Sequence, residues 1–319
     1  MVKRRLLLAV DGSEQALNAV RYVSFLRPEK NFQVVLFHVM TKIPDSFWDL
    51  EREPAYDYRI VSIGAWEAQQ KEMIEDFMQK SREFLLEQGF PHDSVDIRVH
   101  ERREGIARDI IAEARKGYDA VVVGRRGVSE LKDVILGSVA TKLVERLTEV
   151  PVWVVGGAPR PKKFLLCMDN SEGSRRALEH FACIAEGMAP IEVNLFHAIR
   201  GINVFRQVFG KSFGRSMEME WFEKAKKEQE GAEKALEPVM REGASRLERQ
   251  GIAPSSIRWT MEKGVSSRAG AVVEEASSGG YDTIILGRRG LSKVKEFFIG
   301  SVSNKVIQLA RDKAIWVVN

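Results

Sequence analysis

The stretch GRRGVSELKDVILGS at residues 124–138 returns almost unchanged at residues 287–301 as GRRGLSKVKEFFIGS. Both copies read Gly-x2-Gly, nine residues, then Gly-Ser. Each follows a short apolar run, AVVV from Ala120 and TIIL from Thr283, and each leads into an amphipathic helical pattern, from Val139 and from Val302. A strand, a glycine-rich turn and a helix that begins Gly-Ser have the physics of a phosphate cradle. Glycine lets the backbone come close to an anion, and the N–H groups at a helix start point at it with a favourable dipole. The same spacing in the same context, twice, argues against chance.

Working outward, the two copies are parts of a longer repeat. Leu6–Val10 is an apolar run that ends in Asp11-Gly-Ser-Glu and passes into a helix pattern through Leu26; Phe164–Met168 leads in the same way to Asp169-Asn-Ser-Glu. The run QVVLFHVM at 33–40 is unbroken, as in a strand covered on both faces of a parallel sheet, and LFHAI at 195–199 answers its LFHVM. Further strands are expected at Val95–His100, Asp119–Val123 and Pro151–Val155, and a helix at Ile106–Ala114. A longer helix carries Trp66, Met73, Ile74, Phe77, Met78, Phe84 and Leu85 on one stripe and ends at Gly89. Lys263-Gly264 answers Glu104-Gly105, and AIWVV at the end of the chain answers PVWVV at 151–155. The restart follows a Gly- and Pro-rich linker, Gly156–Lys163, so the chain is a duplication with domains at 1–158 and 159–319. Strands and helices alternate through each half, which makes the class α/β with a mainly parallel sheet.

Composition excludes other classes. The chain of 319 residues is long enough for two domains with sizeable cores. Its 44% apolar and 29% charged content belongs to folded globular proteins. No apolar run approaches the roughly 18 residues of a membrane span, so no membrane partner is expected. The opening MVKRRLLLAVDG loses its apolar run at Asp11 without a cleavage site and reads as a first strand. Cys167 and Cys183 form no CxxC pair and no metal spacing, which points to buried thiols in a reducing cytoplasm. The net charge of +4 is spread among mixed signs without interleaved aromatics, which argues against nucleic acid as a partner. The halves diverge most at Thr41–Ile63 and Arg200–Met219, each just after a second strand, where a lid, a partner surface or a tolerant loop would sit. Glu223–Gln250 reads as a solvated helix with Ala232, Leu236, Val239, Met240 and Leu247 as its inward stripe.

Taken together, these residues resemble the universal stress protein family in its tandem two-domain form, over nearly all of both halves. The resemblance is carried by AVDGSE (Ala9–Glu14), CMDNSE (Cys167–Glu172), the LFHV and LFHA strand ends, both glycine motifs, and the VWVV and IWVV strands. The long glycine motif marks the ATP-binding branch of that family. The resemblance implies two tandem Rossmann-like (adenine nucleotide alpha hydrolase-like) domains, each a five-stranded parallel sheet of order 3-2-1-4-5 flanked by helices. Ligands of such sheets sit where the strand order reverses, and Asp11 and Gly124 end the two strands that meet there.

By similarity, Asp11 and Asp169 would meet the adenosine end of a nucleotide, and the backbone of Val39 and Ala198 the adenine edge. Gly124, Gly127, Gly137, Ser138 and Val139 would take ribose and phosphates, as would Gly287, Gly290, Gly300, Ser301 and Val302. Arg125, Arg126, Arg288 and Arg289 would either neutralise phosphates or point into water as turn residues. Plainer roles stand beside these: Asp11 as a helix cap, Ser138 and Ser301 as N-caps, Gly124 and Gly127 as turn residues, His38 and His197 as strand-end or core histidines. Two positions depart between the halves, Asn170 for Gly12 and Ala198 for Val39.

The function expected is a cytoplasmic stress-response module that binds ATP, or AMP or ADP, with Mg in one or both halves; no residues are assigned to the metal. Enzymatic activity is not expected, since Gly-x4-Gly-Lys-Ser/Thr, His-x-Gly-His and Ser-Gly-Gly-x-Asp-Ser do not occur. A slow ATPase, an adenylyl-transferring enzyme and a scaffold with empty sites are the alternatives. The fifth strands, Val152–Val155 and Ile315–Val318, are expected to be sheet edges that pair the halves as an internal pseudo-dimer. A homodimer and an unassigned protein partner complete the expected interactions.

Overall fold

The computed structural model describes residues 4–26, 32–41, 57–127, 135–188, 190–201, 215–290 and 299–319. Most of both divergent stretches (42–56 and 202–214) and the middle of both glycine motifs (128–134 and 291–298) lie outside the described residues. Contacts divide the chain into two units, Met1–Val155 and Gly156–Asn319, and each is taken by itself.

The first unit runs β1 (Arg4–Ala9), α1 (Glu14–Ser24), β2 (Phe32–Met40), α2 (Asp57–Glu87), β3 (Val95–Glu101), α3 (Ile106–Ala114), β4 (Ala120–Gly124), α4 (Ser138–Arg146) and β5 (Val152–Val155). Its strands lie in the order β3-β2-β1-β4-β5, and every pairing among them is parallel. The second unit runs β6 (Lys163–Cys167), α5 (Glu172–Ala185), β7 (Glu192–Arg200), α6 (Arg215–Arg249), β8 (Ile257–Val265), α7 (Arg268–Ser278), β9 (Thr283–Gly287), α8 (Ser301–Leu309) and β10 (Ala314–Val318). Its order is β8-β7-β6-β9-β10, again all parallel. Each unit is therefore a 3-2-1-4-5 sheet. Consecutive residues Leu6, Leu7 and Leu8 are buried in β1, as are Phe164, Leu165 and Leu166 in β6, because both faces of these central strands are covered.

The apolar stripe of α2 is narrower than its sequence suggests. Ile74, Met78, Ser81 and Leu85 are buried, on the i, i+4, i+7, i+11 line of one helix face. Trp66 and Met73, expected on that stripe, are 52% and 57% exposed. Each stands about a quarter-turn off the buried line, which the helical period of about 3.6 residues makes unavoidable. On α6, Leu236, Met240 and Leu247 do face inward. Both cysteines are free, and both are half-buried rather than buried as expected; desolvation pushes the Cys167 thiol up.

A polar network closes the sheet of the first unit beside β3. Glu113 Oε1 accepts from Arg98 Nη1 at 2.9 Å and from the Tyr118 hydroxyl at 2.8 Å, while Oε2 accepts from Lys116 Nζ at 2.7 Å. The Arg5 guanidinium lies 4.4 Å from the Tyr118 ring centroid. Burial, the largest influence, pushes the Glu113 carboxyl up. The bonds from Lys116 and Tyr118 and the charges of Lys116 and Arg98 outweigh it and hold Glu113 below the ordinary glutamate value. The Tyr118 hydroxyl is pushed up to about 12 by burial and by its bond to Glu113. A carboxyl whose folded pKa is lowered stabilises the fold above its unfolded value and loses that contribution as pH falls through the folded one. Glu113→Gln is expected to lower the stability of the first unit by about 2 kcal/mol at pH 7 and to flatten its acid limb below about pH 4.5. Urea unfolding at a series of pH values reads both; an unchanged acid slope would mean that Glu113 carries none of it.

Candidate functional site

In each unit the first and fourth strands are parallel neighbours where the strand order reverses, the place at which a crevice opens beyond their carboxyl ends in sheets of this kind. Beyond β1, the Val10 N–H donates to the Phe37 carbonyl at 3.0 Å and carries the parallel pairing one residue further. Asp11 then turns the chain, its Oδ1 accepting from the Ser13 N–H at 3.0 Å. The N-cap of α1 is Ser13, whose Oγ accepts from the Ala16 N–H at 3.1 Å. Asp11 is thus not the helix cap; its carboxylate braces the residue that is. Asp169 does the same in the second unit, taking the Ser171 N–H at 2.9 Å, and Ser171 caps α5 through the Ser174 N–H at 3.2 Å.

The two glycines that open each motif have different surroundings. A Cβ on Gly124 would stand 2.8 Å from the Gln15 carbonyl carbon and 3.1 Å from the Ala16 nitrogen. One on Gly287 would stand 2.5 Å from the carbonyl carbon of Gly173 and 2.8 Å from the Ser174 nitrogen. The first glycine therefore lets the opening turn of α1 or α5 cross directly over the strand end. The second glycine lies against the aspartate: a Cβ on Gly127 would run into Asp11 Oδ2, and one on Gly290 would sit 2.8 Å from Asp169 Oδ2. Fold topology thus brings Asp11 to Gly127 and Asp169 to Gly290.

The third glycine is the helix cap. Gly137 closes its loop by donating to the Arg125 carbonyl at 2.8 Å, and Gly300 donates to the Arg288 carbonyl at 2.8 Å. Both are N-caps of extended backbone, φ −63° in each, with no side-chain cap bond. Ser138 and Ser301 are the first residues inside α4 and α8, so the expected serine caps are corrected to glycine. A helix that opens on glycine leaves its first-turn N–H groups without a side-chain acceptor, which is the arrangement an anion satisfies. Val139 and Val302 contribute the second of those N–H groups.

The four arginines separate. Arg125 and Arg288 are buried at 3% and 4% exposure, with backbone N–H groups donating to Val155 and Val318 at the ends of the fifth strands. Arg288 Nη1 also donates to Asn319 Oδ1 at 2.9 Å. These two pack beside the last strand, while Arg126 is half-buried and Arg289 exposed. Val39 and Ala198 are buried near the ends of β2 and β7, in register with His100 and Glu262 of the neighbouring strands.

His38 and His197 turn out to belong to the same structure. His38 Nδ1 lies 2.8 Å from the Val10 carbonyl and His197 Nδ1 2.5 Å from the Met168 carbonyl, the residues immediately before Asp11 and Asp169. A carbonyl only accepts, so Nδ1 carries the proton and Nε2 the lone pair. Burial, the largest influence, lowers both histidines below the ordinary value and keeps them neutral near pH 7. Among the described residues, no cluster of three or more His, Cys, Asp or Glu side chains could hold a metal ion, and no helix is long and apolar enough to cross a membrane.

Comparison with known proteins gives a consistent result. The model of the universal stress protein family matches residues 3–156 and again 161–317. A universal stress protein of Mycolicibacterium smegmatis is 29% identical over 180 residues, 55% of this chain and 57% of that protein, so the match spans little more than half of its length. One from Synechocystis is 31% identical over 151 residues, 45% of this chain and 92% of that protein. Among solved structures, a universal stress protein from Archaeoglobus fulgidus superposes with a TM-score of 0.63 over 99% of this chain and 98% of its own, at 17% identity, a likeness of fold.

Proposed function

The chain belongs to the universal stress protein family, with one family domain in each half, and from that premise we propose that it is a cytoplasmic regulatory module that binds ATP. The nucleotide, carrying its Mg, would occupy the crevice of Asp11, Gly127 and the start of α4, and its counterpart at Asp169, Gly290 and the start of α8. One observation carries the reading. In both units a helix opens on a glycine without a side-chain cap, in the same motif whose second glycine lies against an aspartate carboxylate. That juxtaposition offers N–H donors to phosphates and a carboxylate acceptor to hydroxyl groups.

Magnitudes say what else is needed. A helix terminus contributes about 0.3–1 kcal/mol to an anion, or about 2 when partly buried. A micromolar ligand needs about 8 kcal/mol. Adenine and ribose must supply most of the difference, through the strand ends at Val39 and Ala198 and through the aspartates; AMP and ADP share those contacts. Binding rather than turnover is the reading, because none of the motifs Gly-x4-Gly-Lys-Ser/Thr, His-x-Gly-His or Ser-Gly-Gly-x-Asp-Ser occurs in the chain. Two family domains in one chain also support an internal pseudo-dimer.

The test is the nucleotide content of the purified chain after loading with Mg-ATP, released by heat and counted by chromatography. Adenine nucleotide bound at a fixed ratio per chain, with little ADP accumulating over hours, is the expected result. Steady conversion to ADP would favour a slow ATPase. No uptake would overturn the nucleotide reading and leave a scaffold.

A further inference from the structure

We propose that the two cradles are unequal, the second being the tighter nucleotide site, and that Ser174 and Ser303 are the positioning residues that make it so. The inference rests on the nucleotide reading above.

The two units share a frame, so their differences can be read position by position. Ser174 and Ala16 hold the same place: each donates its backbone N–H to the Ser that caps the helix, Ser171 or Ser13. Ser174 adds a hydroxyl that donates to the Asp169 carbonyl at 2.5 Å, with the Ser171 carbonyl at 3.0 Å as its other acceptor. Asp169 is thereby held at both ends, its carboxylate by the Ser171 N–H and its carbonyl by Ser174. Ala16 has no hydroxyl to give Asp11. One position on, Arg175 Nη2 donates to Asn170 Oδ1 at 2.9 Å, where the first unit has Leu17 and Gly12. That bond is exposed and adds little, but Gly12, at φ +83°, is also the freer residue at the turn.

The same difference recurs on the opposite wall. Ser303, third residue of α8 and buried, donates its Oγ to the Gly287 carbonyl at 2.8 Å. The helix start that would take phosphate is thus pinned to the end of β9, at the glycine over which α5 crosses. Its counterpart, third residue of α4, is Ala140, buried and without a donor. In the second unit one hydroxyl therefore pins the start of α8 to the end of β9 and another holds the start of α5 to the Asp169 turn, where the first unit has the methyl groups of Ala140 and Ala16. A site already held in its binding geometry gives up less conformational freedom when ligand arrives, and the surplus appears as affinity.

Titration calorimetry of the full chain with Mg-ATP is expected to resolve two classes of site about tenfold apart in dissociation constant. Combining Ser174→Ala with Ser303→Ala should bring the tighter class down to the weaker. Ser303→Thr, which keeps the hydroxyl, should preserve it. Ala140→Ser should tighten the weaker class, a gain that a merely structural serine would not produce, and it decides the matter alone if the double variant fails to fold. Equal sites in the natural chain, or a tight class untouched by the double variant, would overturn the proposal while leaving nucleotide binding in place. Uptake at neither site would overturn both.

Discussion

Gly287→Ala should destabilise the second unit by about 3 kcal/mol, and Gly124→Ala the first by about 2. The argument is steric, and it depends on what the new methyl group would meet. At Gly287 the nearest atoms are the carbonyl carbon and oxygen of Gly173 and the nitrogen of Ser174, at 2.5, 2.7 and 2.8 Å. All are backbone, in the opening turn of α5. A side chain could swing aside; a helix can retreat only by lifting its buried face, which includes Ala177, Leu178 and Phe181. At Gly124 the equivalent distances to Gln15 and Ala16 are 2.8, 2.9 and 3.1 Å, so the first unit has slightly more room. For a domain of this size, about 3 kcal/mol corresponds to a fall of roughly 6–12 °C in unfolding midpoint. Scanning calorimetry should show that fall in one transition and a smaller one in the other variant. A Gly287→Ala midpoint within about 1 °C of the parent would mean that α5 is not held against the strand end. These glycines therefore have a packing reason to be glycine, independent of any ligand.

That reason was not visible in the motif itself, and the contrast shows where sequence reading succeeds. The strands follow from apolar runs such as QVVLFHVM and from the repeat, because a strand buried on both faces must be continuously apolar; their order comes from the family resemblance. Ile106–Ala114 is helical over the span its pattern suggests. That Asp11 and Gly124 end adjacent strands was legible in the sequence; that Asp11 lies against Gly127 was not. What the sequence concealed was set by single-residue geometry or by side chains from distant elements. Whether Gly137 or Ser138 caps α4 depends on which of two adjacent residues has the extended backbone, and Gly-Ser admits either. The Arg-Arg pair reads as two equivalent cations, yet the end of β5 or β10 captures the first of each. Glu113 appears as one more charge on a helix until β3 supplies Arg98 and the segment after α3 supplies Lys116 and Tyr118. His38 needed the third dimension for the same reason, since its partner Val10 lies just beyond the end of β1 while His38 is on β2.

Gly137→Glu should remove nucleotide uptake from the first unit and leave the second intact. The backbone tolerates the change, because φ −63° and ψ 154° are open to any residue. A Cβ would stand 3.2 Å from Arg126 Cα and 3.3 Å from the Arg125 carbonyl oxygen, a crowding relieved by a shift of a few tenths of an ångström. Charge dominates the effect. A carboxylate at the N-cap is itself attracted to the helix terminus, so it would both occupy the donors meant for phosphate and repel what remains of the anion. Loss of a partly buried helix-terminus interaction of about 2 kcal/mol alone corresponds to about a 30-fold weaker site, and repulsion adds to it. Gly137→Ala, with the crowding and without the charge, should weaken the site by less than about fivefold, which separates the two causes. Calorimetry should then find only the second unit's class of site in Gly137→Glu, at its parent affinity. Unchanged stoichiometry and affinity would show that the start of α4 holds no phosphate, whatever else binds in the crevice. If the wrong class disappeared, the assignment of the tighter site to the second unit would fall while the cradle itself stood. The same substitution therefore tests where the anion sits and, by what survives it, which unit holds the stronger grip.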